Sequence, residues 1–338
     1  MAILRRVSLI LFVLSFSVTV FAERLEDNVG IRKFSLDFNP TKSEIKGLIW
    51  YPTVEKPAKI RLGVFALNVA ENAKIKAGKR NLVFISHGSG GSHLVHRDTA
   101  MYLAERGFLV VTIAHPKNNF FDDSAAGTRE NWINRPKHIS ETLDYLLQES
   151  EFSTFIDSDR IAVIGYSAGG YTALSLVGGV ADIDSISAHC AENSDDIVFC
   201  RRPKYIYQMQ NMISSGGVDS IIRAKDERFK TAILMAPVGA LFRDNKSLED
   251  VKAPLMIYRA EKDNILRYPY HAESILEKLL VKPTYRVVKN AGHYAFLAPF
   301  PDGAADIPEA KDPDGFDRSA FHDLMNREIF EFLSDKLD

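Results

Sequence analysis

The chain has 338 residues, 46% of them hydrophobic and 25% charged, which supplies enough apolar material for one or two cored domains. Its 42 basic side chains are offset by 44 acidic ones, for a formal charge of −2, so there is no electrostatic case for nucleic-acid binding. Past the first 22 residues, no stretch approaches the length of a membrane span.

At the N-terminus, Arg5 and Arg6 precede an apolar run from Val7 to Val20 that ends in Val20-Phe21-Ala22. A charged start, an apolar run short for a bilayer and a small-residue ending predict a secretory signal peptide, residues 1–22, cleaved near Ala22. An uncleaved anchor is the alternative. Cleavage removes both arginines and moves the formal charge from −2 to −4. The rest of the chain, 23–338, is then expected in the periplasm or outside the cell. No cysteine follows the apolar run, which argues against a lipid-modified N-terminus.

Two strand-like runs come next, Ile31–Phe38 and Ile45–Tyr51, separated by an Asn39-Pro40 turn signal. A repeated unit of apolar run, turn and amphipathic stretch follows. Leu82–Ser86 leads into a Gly-rich turn and a helical spacing over Leu94–Arg106. Phe108–Ala114 is followed by an Asn- and Asp-rich loop and a helix near Ile139–Glu149. Ile161–Tyr166 is followed by Ala168–Val177. Ala232–Ala236, Leu255–Arg259 and Tyr285–Val288 continue the series, with helical stretches at Ala272–Leu280 and Ala320–Leu333. Continuous apolar runs alternating with helices predict strands buried on both faces, hence a mostly parallel α/β sheet. Its sites belong at the carboxyl ends of the strands.

Residues 178–230 break this rhythm and are too long for a simple connection. They are expected to form a partly helical cap, with Tyr205, Ile206, Tyr207, Met209 and Met212 as adaptable apolar surface and Ser214-Ser215-Gly216-Gly217 as a candidate hinge. The only cysteines, Cys190 and Cys200, lie ten residues apart in this segment. In an exported chain such a pair predicts a disulfide rather than a metal site, stabilising by at most about 3 kcal/mol. Pro301–Phe316 reads as a surface loop whose carboxylates lack calcium-loop spacing.

Gly165-Tyr166-Ser167-Ala168-Gly169 carries the chemistry. The pentapeptide is weak alone, but here it follows a buried run and opens a helix. A nucleophilic serine must project above the sheet from a sharp strand-to-helix turn, and glycines two before and two after it relieve the crowding. The helix N-terminus adds a favourable dipole where negative charge develops. His87-Gly88-Ser89-Gly90-Gly91 follows an earlier strand, in the position of a loop that completes an oxyanion hole. The backbone N–H groups of Ser89 and Ala168 are the candidate donors, each worth roughly 10²–10³ in rate. His87 precedes the nucleophile and is expected to brace this loop. A phosphate-binding reading of the glycines is the poorer alternative, since no Lys-Ser/Thr pair follows them.

An orienting acid and a base should follow Ser167 in that order. Asp263 follows the strand Leu255–Arg259, and His293 follows the next strand in Gly292-His293-Tyr294. Glu261 and Asp244 are the rival acids. His189 in the cap, His271 at a helix start and His322 in the last helix are weaker bases.

With these residues in view, the chain resembles the α/β-hydrolase superfamily, from about Ile31 to the C-terminus. His87-Gly88-Ser89-Gly90, His115-Pro116, Arg135-Pro136 and Gly292-His293-Tyr294-Ala295-Phe296 make it similar to bacterial predicted dienelactone hydrolases, which are themselves similar to plasma-type platelet-activating-factor acetylhydrolases. It departs from both. True dienelactone hydrolases use a cysteine where Ser167 stands, and the acetylhydrolases carry their acid where this chain reads Met235-Ala236-Pro237. The resemblance implies an α/β-hydrolase fold with a cap insertion and a cofactor-free, metal-free serine hydrolase with Ser167, Asp263 and His293 as its triad. A small or lipid-like carboxylic ester is the expected substrate. A peptidase or amidase on the same machinery is the alternative. A periplasmic binding protein would share the α/β pattern without needing the ordered Ser, Asp and His.

Overall fold

The structure, a computed structural model, describes residues 26–201, 220–304 and 306–338. The expected signal peptide and the cap residues from Tyr205 to Gly217 lie outside the described residues. The strands are β1 Asn28–Phe38, β2 Ser43–Thr53, β3 Ala58–Leu62, β4 Phe65–Glu71, β5 Arg80–Ser86, β6 Leu109–Ala114, β7 Ile156–Tyr166, β8 Val180–Asp182, β9 Ile221–Arg223, β10 Phe229–Met235, β11 Leu255–Ala260 and β12 Thr284–Val288. The helices are α1 Arg97–Glu105, α2 Arg129–Gln148, α3 Ala168–Leu176, α4 Ser185–Glu192, α5 Ile197–Cys200, α6 Ala272–Lys278 and α7 Arg318–Leu337. Among the described residues, no helix is long and apolar enough to cross a membrane.

Ten strands form one sheet in the order β12-β11-β10-β7-β5-β6-β2-β1-β4-β3. From β12 to β6 every neighbouring pair is parallel. β2 joins β6 antiparallel and pairs along its whole length with β1. The central strands are fully buried because each feeds two cores. Phe84, Val163, Leu234 and Ile257 face a cluster built with α2 and α3, whereas Ile85, Ile164, Met235 and Tyr258 face one built with α1 and α7. Period-2 alternation thus survives inside runs that read as uniformly apolar, because both faces are covered.

Two departures from the sequence reading have physical causes. β3 and β4 form an antiparallel hairpin at the sheet edge, where β3 is largely exposed and β4 alternates buried and exposed residues, so neither leaves a continuous apolar run. Helix α2 starts ten residues earlier than Ile139 and runs through Pro136. A proline removes one N–H and leaves the carbonyl four residues back without its helical donor. That carbonyl, on Trp132, accepts the Tyr171 hydroxyl from α3 at 2.8 Å. Tertiary packing supplies the missing bond, so the helix continues.

Between β7–α3 and β10, the insertion opens with β8 and closes with β9, which pair antiparallel as Val180↔Arg223, Ala181↔Ile222 and Asp182↔Ile221. Between them lie α4 and α5, joined by a Cys190–Cys200 disulfide. β10 itself starts at Phe229, three residues before the apolar run that announces it.

Candidate active site

Strand β7 ends at Tyr166, and the chain turns at Ser167 with φ 55° and ψ −115° before entering α3. A non-glycine residue in this region is held there by its surroundings. The Ser167 N–H donates to Met235 O at 2.9 Å, and its carbonyl accepts Val238 N–H at 3.1 Å, which ties the turn to the end of β10. A Cβ on Gly165 would lie 2.0 Å from Gly169 O, and one on Gly169 would lie 1.9 Å from Ser86 O. The two glycines are therefore what allow β7, α3 and the end of β5 to converge.

His293, on the short turn that follows β12, comes to this point from the neighbouring side of the sheet. Its Nε2 is 3.1 Å from Ser167 Oγ and its Nδ1 is 2.7 Å from Asp263 Oδ2. A carboxylate only accepts, so Nδ1 carries the proton and Nε2 presents its lone pair to the serine hydroxyl. Asp263 is itself fixed: its Oδ1 accepts the backbone N–H groups of Ile265 and Leu266 at 2.9 and 2.8 Å. Tyr166 OH donates to His293 O at 3.1 Å, which anchors the base to the residue before the nucleophile. The His293 and Asp263 side chains are each only 3% exposed, whereas Ser167 is half-buried. The rival acids lie elsewhere. Glu261 pairs with Lys289 and the Asn290 N–H, and Asp244 accepts the Lys246 N–H.

The loop after β5 lies against the elbow, since a Cβ on Gly88 would approach Ser167 Cβ to 3.1 Å. Ser89 is the next residue of that loop, and Ala168 opens α3 beside the serine. His87 braces the loop. Its Nε2 accepts the His115 N–H at 3.1 Å, so the proton sits on Nδ1, which donates to Gly88 O at 2.6 Å. Burial, reinforced by the nearby Arg135 cation, holds His87 and His115 neutral well below the ordinary histidine range; the same causes push His138 down to about 3.

Sequence reasoning left the supports behind this loop without roles. Arg135 on α2 is fully buried and reaches His87 O, Ser86 Oγ at 3.4 Å, Asn118 Oδ1 at 2.5 Å and Thr172 Oγ1 at 3.1 Å. One guanidinium thus joins the ends of β5 and β6 to α3, a task suited to its planar fork. His115 Nε2 meets Ser86 Oγ at 2.8 Å, and its Nδ1 meets His138 Nδ1 at 3.1 Å. Phe120 and Phe121 lie on the loop after β6. They are 74% and 82% exposed, and the Phe120 N–H donates to Gly91 O at 2.7 Å.

Among solved structures, the chain is similar to a ferulic acid esterase from Streptomyces cinnamoneus, with a TM-score of 0.62 and 18% identity over 94% of this chain and 91% of that one. No family model and no curated protein matches the chain. The mostly parallel sheet, the flanking helices and this likeness establish an α/β-hydrolase-type fold.

Proposed function

We propose that the chain is an exported serine hydrolase that cleaves carboxylic esters with Ser167 as nucleophile, His293 as base and Asp263 as orienting acid. The observation that carries this reading is the unbroken Asp263–His293–Ser167 relay at a strained strand-to-helix turn. His293 Nε2 takes the Ser167 proton as Oγ attacks the ester carbonyl, and Asp263 stabilises the imidazolium. The developing oxyanion is received by the Ser89 and Ala168 N–H groups. Collapse expels the alcohol, which takes the proton back from His293. Water, deprotonated by His293 in turn, then releases the acid. None of these steps requires a metal or cofactor.

The esterase likeness in fold is in keeping with ester chemistry. Export rests on the N-terminal sequence alone. Purified protein should turn over p-nitrophenyl acetate and leave an amino-acid p-nitroanilide untouched; the reverse preference makes it an amidase. Ser167→Ala should keep the fold and lose about 10⁴- to 10⁶-fold in kcat. Stoichiometric labelling of that variant by a fluorophosphonate would place the nucleophile elsewhere.

A further inference from the structure

We infer that Asp196, presented by the disulfide-closed loop Cys190–Cys200, is a positioning residue that seats the loop carrying Asp263 by holding His271. The inference rests on the triad reading above.

Asp196 is fully buried, and its Oδ2 lies 2.8 Å from His189 Nε2 and 3.0 Å from His271 Nε2. These three side chains have the composition of a metal site, and their ligand atoms lie within 4.8 Å of one another. The hydrogen bonds on the far sides of the rings decide otherwise. His271 Nδ1 accepts the Gly239 N–H at 3.2 Å, and His189 Nδ1 faces the Asn193 amide nitrogen at 3.4 Å. Both Nδ1 atoms therefore use their lone pairs, and both protons sit on Nε2. A cation would need those Nε2 lone pairs, with Nδ1–H donating outward. The node is a carboxylate held by two neutral imidazoles. Burial alone would raise the Asp196 carboxyl, yet the hydrogen bonds from His189 and His271 keep it below its ordinary value.

What the node holds is the acid loop. Residues 264–270 contain no regular secondary structure, and Arg267, Tyr268 and Pro269 are exposed. Ile265 and Leu266 pack into the core, but packing does little to set the path from Arg267 to Pro269. One end is fixed by Asp263 through the Ile265 and Leu266 N–H groups. The other end is fixed by two consecutive carboxylates of the insertion. Asp195 accepts the Tyr270 hydroxyl at 2.6 Å and an Arg267 N–H on its carbonyl, while Asp196 takes His271. His271 reaches the nucleophile as well. Its Nδ1 partner, Gly239, follows Val238, whose N–H donates to Ser167 O. Gly239 packs so closely that a Cβ there would stand 2.4 Å from His271 O. The disulfide closes the segment that presents both carboxylates. Insertion, acid loop and elbow are thus linked in one continuous chain of contacts.

Asp196→Asn keeps the shape but sets amide donors or a neutral oxygen against two N–H groups. Measured with p-nitrophenyl acetate on the full-length protein, it should lower kcat by about 10- to 100-fold with KM within about twofold, the size expected of a small misplacement of catalytic groups. The decisive measurement is a double-mutant cycle. If Asp196 acts through the acid loop, Asp196→Asn should have no further effect on kcat in an Asp263→Asn background. Should Asp196→Asn not fold, the Cys190→Ser/Cys200→Ser pair replaces it in the same cycle, with a smaller loss that also vanishes in that background. Wild-type kcat, or an equal loss in both backgrounds, overturns the inference. So does tight binding of one equivalent of Zn²⁺ by the wild type that Asp196→Asn abolishes. Failure of the triad reading looks different: there Asp263→Asn alone retains activity.

Discussion

Two walls flank the elbow, and they are built with opposite charge. Behind the loop after β5, between β6 and α2, lie three buried histidines and the Arg135 guanidinium. Behind the acid loop, between the insertion and α6, lie two neutral histidines and the Asp196 carboxylate. In the proposed mechanism, negative charge develops on the first side and an imidazolium on the second. Each wall therefore holds the charge that favours the transition state nearest to it, in a buried setting where such charges act strongly. They differ also in construction. The first is core, made from the sheet and its helices. The second is assembled across an insertion, largely from loop contacts and a disulfide. The first should accordingly fail as a loss of stability, and the second as a loss of rate.

The largest effect should come from the acid itself. Asp263→Asn should cut kcat by roughly 10⁴, because the imidazole loses both its orienting partner and its preferred tautomer. Asp244→Asn should leave ester turnover near wild type. Steady-state kinetics on the two variants decide the matter, and the opposite ranking would move the acid to the segment after β10.

Next in size is the core wall. Arg135→Lys keeps the charge but cannot reach four acceptors at once. Losing two charge-assisted hydrogen bonds should cost about 3 kcal/mol or more, read from the urea midpoint. An unchanged midpoint would mean that the fork does not hold the wall together.

The smallest effect is graded with pH. His138 is held at about 3 when folded, first by burial and then by Arg135, against about 6.5 unfolded. With its folded value depressed, the unfolded chain binds more protons as pH falls below about 6.5, so stability drops across the window down to about pH 3. Each such histidine contributes a slope of about 1.4 kcal/mol per pH unit. Urea unfolding at several pH values between 7 and 5 should show this decline, and His138→Gln should reduce its slope by one histidine's share, the other buried histidines keeping theirs. An identical slope in that variant would remove His138 from the account.

Much of the fold and part of the site are legible in the sequence. Apolar runs alternating with helical spacing announce the parallel sheet because burial on both faces leaves a local compositional mark. As candidates, Ser167 is legible because a sharp turn at a strand end demands glycines two residues to either side, as Gly165 and Gly169 show, and His293 because it follows the acid at the end of the next strand. The paired cysteines announce their own bond, which the structure contains. Sequence order puts Asp263 forward with Glu261 and Asp244 as rivals, and in the structure it is Asp263 that meets His293. Tertiary structure alone carried α2 through Pro136 by means of Tyr171, and it gave Arg135, His115, Asp196 and His271 their partners. The physical reason is range. Period, turn chemistry and caps act over a few residues and so are written locally, whereas Asp196 and His271 meet across 75 positions and Arg135 reaches His87 across 48. Contacts at that separation are created only when the sheet brings distant strand ends to one edge.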